Sequence, residues 1–372
     1  MNITGIVVEY NPFHNGHIRH INEAKKLTDA DLLIAVTSGN FSQRGDVSVL
    51  NKFEKTDIAL NYGVDLVVEL PYIYTTQNAR VFGEKSIEIL KALNINNLVF
   101  GSETCNIDEL KKYAELSIDV NHLREIMSKG VSYPEAYGLL AAELYPNDIL
   151  AVSYLKAIGN DNINVFPIKR TSNYHDDTLM GICSATAIRK ALKNHEDYSV
   201  GTPVKIDNPH FTEELYPYLR RLLFTTNKKD LENTFMVNEG IENLLIKNAY
   251  EYDSFDEFMN HSVTKRYTRS RIQRVMLQMM LQIKKEDVLS LTKMDYVRVL
   301  GFNAKGQQYL RNYQNDNYKI VTQFKNIPEA YKKIEWKASQ LYASMLTNFK
   351  DYLTRELQGP VRTNNIQCWP KS

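Results

Sequence analysis

Short apolar runs separated by helix-forming segments recur along the first half of the chain, and this alternation limits the fold more than any other sequence feature. Each run is rich in β-branched residues, lacks clean apolar and polar alternation, and ends at polar, Gly or Pro residues, which is typical of strands buried on both faces. Strands that alternate with helices form parallel βαβ units, so we expect a doubly wound α/β fold with ligands at the carboxyl ends of the strands. The runs cover residues 3–9, 32–37, 65–70, 97–100 and 163–168.

The strand pattern stops near residue 195, and a different organisation is expected after it. Residues 201–211 are interrupted by Gly and Pro and predict a linker. Beyond the linker, apolar residues keep helical spacing, so we expect an α/β domain over residues 1–200 followed by a mostly α-helical domain over residues 201–372. The helical segments cover residues 213–223, 240–250, 264–283 and 334–349.

The formal net charge of +1 conceals two oppositely charged halves. Residues 1–200 carry 19 basic and 25 acidic side chains, whereas residues 201–372 carry 26 basic and 19 acidic ones. Such asymmetry points to a polyanion as the partner of the basic half.

Three features indicate a soluble cytoplasmic protein without a membrane segment. The N-terminus lacks the basic start of a signal peptide, and no apolar run reaches the roughly 18 residues of a membrane span. The cysteines Cys105, Cys183 and Cys368 form no C-x-x-C pair and are odd in number, so we expect neither a disulfide framework nor a zinc site built on them.

The loop after the first strand, YNPFHNGH at residues 10–17, carries two histidines at the start of a helix. A helix N-terminus attracts phosphate, and His14 and His17 can donate hydrogen bonds to phosphate oxygens as negative charge builds. An H-x-x-H pair is also compatible with simple helix capping. A zinc site through His14, His17 and His20 would be a poor tetrahedral ligand set, so we expect no metal ligands here.

The H-N-G-H sequence at residues 14–17 resembles the H-x-G-H signature of the nucleotidylyltransferase superfamily, which has a Rossmann-like parallel sheet. A second signature of that superfamily has the form S-[ST]-T-x-x-R, and SATAIRK at residues 184–190 resembles it except at Ala185. The resemblance implies that Ser184 and Thr186 bind phosphate and that Arg189 pairs with the β- and γ-phosphates. His14, His17 and Arg189 are the implied catalytic residues.

Eight stretches resemble, in order, the bacterial tRNA(Met) cytidine acetate ligases. The resemblance implies an enzyme that activates acetate with ATP to acetyl-adenylate and then acetylates N4 of the wobble cytidine of elongator tRNA(Met). ATP is thus an expected substrate, with Mg²⁺, and no permanently bound cofactor is expected. The stretches are GIVVEYNPFHNGH (5–17), SGNFSQRG (38–45), NKF (51–53), VFGSE (99–103), PNDILAVSYLKAI (146–158), CSATAIRK (183–190), KRYTRSRIQR (265–274) and VLGFNAKG (299–306).

The same resemblance implies an ATP site built from the first loop, the second signature and three further residues. Each of these three has an ordinary alternative: Gly101 as a turn glycine, Asn147 as a helix N-cap and Arg170 as a solvated charge. The implied ATP-binding residues are Val7, Val8, Glu9, Tyr10, Asn11, Pro12, Phe13, His14, Asn15, Gly16, His17, His20, Gly101, Asn147, Arg170, Ser184, Thr186 and Arg189.

Residues 261–285 are strongly basic and contain no acidic side chain. Helical spacing places their apolar residues towards a core and predicts that Arg269, Arg271, Arg274 and Gln278 point elsewhere. A one-sided basic helix suits an RNA backbone, although charge runs are also common on solvated faces. Tyr267 fits either base stacking or a core position. The predicted tRNA-binding residues are Lys265, Arg266, Arg269, Arg271 and Arg274.

Two other functions remain open at this level. A small-molecule adenylyltransferase of a coenzyme pathway would use the same phosphate signatures, but it does not need a helical basic half. A non-catalytic RNA-binding or nucleotide-sensing protein has no reason to keep His14, His17, Thr186 and Arg189 intact. The absence of a K-M-S-K-S-like loop argues against an aminoacyl-tRNA synthetase.

Overall fold

The computed structural model describes residues 1–115, 128, 144–170, 181, 183–291 and 293–363. Among these residues, one sheet has the strand order β5-β4-β1-β2-β3-β6-β7, and β8 pairs with β6. All neighbouring strands run parallel except β3 and β6, which are antiparallel. The strands are β1 (Ile3–Val8), β2 (Leu32–Ser38), β3 (Leu66–Leu70), β4 (Asn97–Ser102), β5 (Asn164–Lys169), β6 (Tyr296–Phe302), β7 (Lys319–Val321) and β8 (Val361–Arg362).

The five strands predicted from the first half are all present, and helices connect them. The chain moves outwards from β1 through β2 to β3 and then returns to the other side of β1 to form β4 and β5. This reversal places a crevice at the carboxyl ends of β1 and β4, where open α/β sheets bind their ligands. The helices of this part are α1 (Asn15–Thr28), α2 (Lys52–Asn61), α3 (Tyr72–Thr75), α4 (Ala79–Ala92), α5 (Ile107–Glu115), α6 (Pro146–Ile158) and α7 (Ala185–Lys193).

A helical unit with its own hydrophobic core follows the linker. Its core includes Leu219, Leu245, Phe258, Met276 and Met279, so the closely spaced methionines of its last helix pack inside this unit. The last helix is shorter than the predicted 264–283 segment, because the side chain of Thr268 caps it by accepting the backbone N–H of Arg271. The helices are α8 (Tyr216–Thr225), α9 (Lys228–Glu232), α10 (Ile241–Glu251), α11 (Phe255–Ser262) and α12 (Arg269–Met280).

The expectation that strands end near residue 195 is wrong, because the chain returns to the sheet after the helical unit. Strand β6 is buried along its whole length and pairs with β3. Arg298 interrupts its apolar run in sequence, which hides the strand pattern. The remaining helices are α13 (Lys285–Leu289), α14 (Ala304–Asn312), α15 (Glu329–Ala343) and α16 (Phe349–Leu357).

A buried network of four charged side chains attaches this returning segment to the sheet. Lys52 lies 3.0 Å from Glu69 and 2.8 Å from Glu356, and Arg298 lies 2.7 Å and 3.0 Å from the same two carboxylates. All four side chains are less than a tenth exposed. Two cations and two anions balance one another, which is the condition under which buried charges are tolerated.

Two further expectations concern membranes and cysteines. None of the described helices is long and apolar enough to cross a membrane. Cys105 and Cys183 are not in disulfides within the described part of the chain, and Cys368 lies outside the described residues.

The buried network predicts a strong effect of removing one charge. Glu356→Gln leaves two buried cations with one anion, so we expect the free energy of unfolding to fall by about 3 kcal/mol. Urea denaturation measures it. Glu329→Gln, which removes an exposed carboxylate paired with Lys332, is the control and should leave stability unchanged. Equal losses in both variants would contradict the assigned role of the network.

Candidate functional site

Two histidines form the cap of helix α1 with their own ring nitrogens. Nδ1 of His14 accepts the backbone N–H of Gly16 at 3.0 Å, and Nδ1 of His17 accepts the backbone N–H of His14 at 3.2 Å. The ring centroids are 3.8 Å apart. A neutral imidazole that accepts at Nδ1 carries its proton on Nε2. Each ring is therefore held as the tautomer that has one N–H left to donate to a ligand.

Burial keeps these histidines neutral. Together with the positive charges of Arg170 and Arg189, it lowers the pKa of His14 to about 3. Burial also lowers the pKa of His17 well below its usual value and that of His20 to about 4. The positive charge that attracts an anion to this site therefore comes from Arg170 and Arg189, and the neutral rings contribute N–H donors.

The capped loop opens into a cavity of about 1020 Å³ at the carboxyl ends of β1 and β4. Three of the predicted ATP-binding residues do not line this cavity, and the side chains of two of them contact other parts of the chain. Phe13 is fully buried and packs on Tyr62, while the side chain of Asn15 donates to the backbone oxygens of Gly181 and Val200. Pro12 also lies outside the lining. The predicted residues that line the cavity are Val7, Val8, Glu9, Tyr10, Asn11, His14, Gly16, His17, His20, Gly101, Asn147, Arg170, Ser184, Thr186 and Arg189.

The second signature meets the first across this cavity. Ser184 caps helix α7 by accepting the backbone N–H of Ala187 at 3.1 Å. Arg189 donates to the backbone oxygen of Asn11 at 2.6 Å and to Thr186 at 3.1 Å. The arginine is thereby fixed between the two loops, although more than 170 residues separate them in sequence.

The three further residues that the family resemblance implies, Gly101, Asn147 and Arg170, all line the cavity. Gly101 lies in strand β4 rather than in a turn, and a Cβ there would lie 3.5 Å from the Arg170 side chain, an ordinary contact distance. Nε of Arg170 is buried and has no hydrogen-bond partner within the described part of the chain.

Asn147 is not the N-cap of α6, as its alternative interpretation required. Tyr145 occupies the cap position, and Asn147 donates its side-chain amide to Glu103 at 2.5 Å. Pro146 is the missed signal, because proline favours the first position inside a helix and so places the cap one residue earlier.

The structure adds cavity residues that the sequence analysis missed. Gln43 and Arg44, in the loop after β2, line the cavity together with Arg80 and Lys156. The helical unit adds Thr268, Ser270 and Arg274. The position of residues 43 and 44 after a parallel strand was the available signal.

The basic segment divides into exposed and buried parts. Lys265, Arg266 and Arg269 are exposed, and Arg271 pairs with Glu239 at 3.0 Å. The spacing predicts that the polar residues of α12 point away from the apolar core, and two of them are buried against another part of the chain. Arg274 is buried at the cavity, and the buried Gln278 donates to Thr76 at 2.9 Å, because this helix packs on the α/β part.

Tyr267 takes the core position of its two alternatives. Its side chain is buried in the helical unit, and its hydroxyl donates to the backbone oxygen of Glu239 at 2.5 Å. The ring is thus unavailable for stacking on a base.

The lowered pKa of His14 predicts how stability depends on pH. An unfolded histidine binds a proton below about pH 6.5, whereas His14 in the folded protein stays neutral to about pH 3, so stability falls as pH decreases through this window. Between about pH 7.5 and pH 5, this one group lowers the free energy of unfolding by about 2 kcal/mol.

Asparagine retains the capping acceptor without the titration, so His14→Asn should lose about 2 kcal/mol less than the wild type over this pH change. Urea denaturation at both pH values measures the difference. His195→Asn, at an exposed position, is the control and should follow the wild type. An unchanged pH dependence in His14→Asn would contradict the assignment.

The chain is similar over nearly its whole length to proteins of known family. The family model described as HIGH Nucleotidyl Transferase matches residues 1–356. A tRNA(Met) cytidine acetate ligase of Fusobacterium nucleatum is 38% identical over 366 residues, covering 90% of this chain and 92% of the relative. A protein of the same name from Oceanobacillus iheyensis is 34% identical over 400 residues, covering 97% and 100%.

Two solved structures of Thermotoga maritima TmcAL have the same fold. The apo form superposes with a TM-score of 0.88 at 29% identity, covering 98% of this chain and 100% of that one. The form bound with alpha-thio ATP gives a TM-score of 0.85 at 28% identity with the same coverage. Both signatures line one cavity, and the relatives match nearly the whole chain. The chain therefore belongs to the tRNA(Met) cytidine acetate ligase family of the HIGH nucleotidyl transferases.

Proposed function

We propose that this chain is an ATP-dependent ligase that converts acetate to acetyl-adenylate and acetylates N4 of the wobble cytidine of elongator tRNA(Met). The observation that carries the proposal is the single cavity at which the two histidines, the arginine of the second signature and the helical unit converge. The relatives are named as ligases of a tRNA cytidine and acetate, and one solved relative is bound with alpha-thio ATP, so a shared site for the nucleotide and the RNA supports the proposal.

The first step joins acetate to the α-phosphorus of ATP. One carboxylate oxygen forms a bond to phosphorus as the bond to pyrophosphate breaks, so negative charge moves onto the leaving group. The Nε2–H groups of His14 and His17 stabilise the α-phosphate, and Arg189 pairs with the departing phosphates. Positioning and fixed electrostatics supply the catalysis, and no covalent enzyme intermediate is needed.

The second step uses acetyl-adenylate as an activated acyl donor. The exocyclic amine of cytidine is a weak nucleophile, and AMP is a far better leaving group than the hydroxide of free acetate. The amine attacks the acyl carbon, the bond from that carbon to the AMP phosphate oxygen breaks, and the amine loses a proton.

Mg²⁺ is proposed to enter with ATP rather than to reside in the protein. Among the described residues, no group of three His, Cys, Asp or Glu side chains is placed to hold a metal ion. That arrangement suits Mg²⁺, which binds nucleotide phosphates and retains several waters.

The exposed basic residues of the helical unit are proposed to bind tRNA. Lys265, Arg266 and Arg269 lie at or just before the start of α12 and are open to solvent. Phosphate contacts of this kind provide affinity that falls with salt concentration. Residues 1–200 are proposed to form the catalytic part. Within residues 201–372, the helical unit is proposed to bind tRNA. Because the proposed substrate is a tRNA, the enzyme is proposed to act in the cytoplasm.

ATP–pyrophosphate exchange tests the first step. We expect exchange that requires acetate and is lost by at least about a hundredfold in His17→Asn, since a transition-state donor of this kind contributes on the order of a hundredfold or more. His261→Asn, at an exposed histidine of the helical unit, should exchange normally. Exchange driven by a phosphate ester instead of acetate would support a coenzyme adenylyltransferase.

Gly101→Ala separates nucleotide binding from stability. The added methyl group makes only an ordinary contact with Arg170, so we expect the thermal midpoint to stay within about 2 °C. If adenosine lies against this glycine, the methyl group displaces it, and KM for ATP should rise by about tenfold or more. An unchanged KM for ATP would place the nucleotide elsewhere in the cavity.

A further inference from the structure

We propose that Arg274, carried by helix α12 of the helical unit, binds the carboxylate of acetate in the cavity. The inference deepens the proposed function and rests on it, because it names the residue that holds the second small substrate. It also separates Arg274 from the tRNA-binding residues with which the sequence grouped it.

Arg274 is buried and has no counterion among the described residues. The residue is 9% exposed, and within the described part of the chain a guanidinium nitrogen donates to the backbone oxygen of Gln43 at 3.2 Å. Nε is buried and has no partner, and no carboxylate within the described residues forms an ion pair with this side chain. A guanidinium has five N–H donors, so most of its capacity is available to a ligand.

The surrounding charges make the position unfavourable for a cation when the cavity is empty. Burial, together with the positive charges of Arg271 and Arg44, lowers the pKa of Arg274 to about 10. An unpaired buried charge is costly, and proteins tolerate one where an anion completes the pair. The missing partner in this cavity is therefore negatively charged.

The backbone around Arg274 is firmly attached to the α/β part. The neighbouring Gln273 donates to Asp46 at 2.7 Å. At Gly45, which has a φ of 85°, a Cβ would lie only 2.7 Å from the backbone nitrogen of Arg274. This close approach holds α12 against the loop after β2, so that the guanidinium reaches the cavity from a fixed position.

Acetate is the anion that fits best. Its two oxygens match the planar guanidinium fork, which binds carboxylates with two parallel hydrogen bonds. The triphosphate already has four other candidate donors in the cavity, which are His14, His17, Arg170 and Arg189. An RNA phosphate has the exposed Arg269 of the same helix available to it. In the reaction, one oxygen of the held carboxylate attacks the α-phosphorus while Arg274 stays unmodified.

The test compares Arg274→Met with Arg311→Met, which changes an exposed arginine of α14 outside the cavity lining, in the full-length enzyme. In acetate-dependent ATP–pyrophosphate exchange, we expect Arg274→Met to raise KM for acetate by about tenfold or more, with KM for ATP within about twofold. Arg274→Lys keeps the charge but not the fork and should fall between it and the wild type. Arg311→Met should leave both constants unchanged.

A structural role would give a different pattern. Because the variant removes an unpaired buried charge, Arg274→Met should keep or raise the thermal midpoint, and added guanidinium ion should restore part of its exchange. If Arg274→Met does not fold, Arg274→Lys supplies the same comparison of the two KM values.

Three results would overturn the inference. They are an unchanged KM for acetate in Arg274→Met, an equal rise in KM for ATP, which indicates a phosphate ligand, and a rise in KM for tRNA alone, which indicates an RNA contact. Absence of acetate-dependent exchange in the wild type would instead contradict the proposed function. Acetate that stabilises the wild type against heat but not Arg274→Met would then still support this site.

Discussion

Two backbone hydrogen bonds to histidine rings begin helix α1, and the chemistry of the cavity depends on them. Because His14 and His17 accept at Nδ1, both rings must stay unprotonated there and keep Nε2–H as their free donor. Burial enforces the same state by lowering the pKa of each ring. A helix cap that also fixes tautomer and charge gives the loop after β1 a preorganised surface for phosphate.

The second constraint is that the chain must leave the sheet and return to it. The helical unit lies between two segments of one α/β body, and the four-charge network around Glu69 and Glu356 fixes the returning segment. With both ends attached, helix α12 packs on the loop after β2 and brings Arg274 to the cavity. The cavity proposed for the small substrates therefore borders the helical unit, which also carries the exposed basic residues.

Local patterns were sufficient to predict the parallel strands, because each strand depends on a few adjacent residues, and the family resemblance located the two phosphate signatures. Strand β6 was missed because Arg298 stands inside its apolar run, and the carboxylate that neutralises it, Glu69, is 229 residues away. Helical periodicity separated the apolar face of α12 from its polar residues. It gave no information on which polar residues meet another part of the chain, and so Arg274 was grouped with the exposed arginines.

The central claim is that ATP, acetate and tRNA react on this one chain. The direct measurement is mass spectrometry of nucleosides from elongator tRNA(Met) incubated with the enzyme, ATP and isotopically labelled acetate. The account predicts labelled N4-acetylcytidine at the wobble position, with AMP and pyrophosphate formed in equal amounts and no product without ATP. Unlabelled tRNA under these conditions, or acetylation that proceeds without ATP, would contradict it.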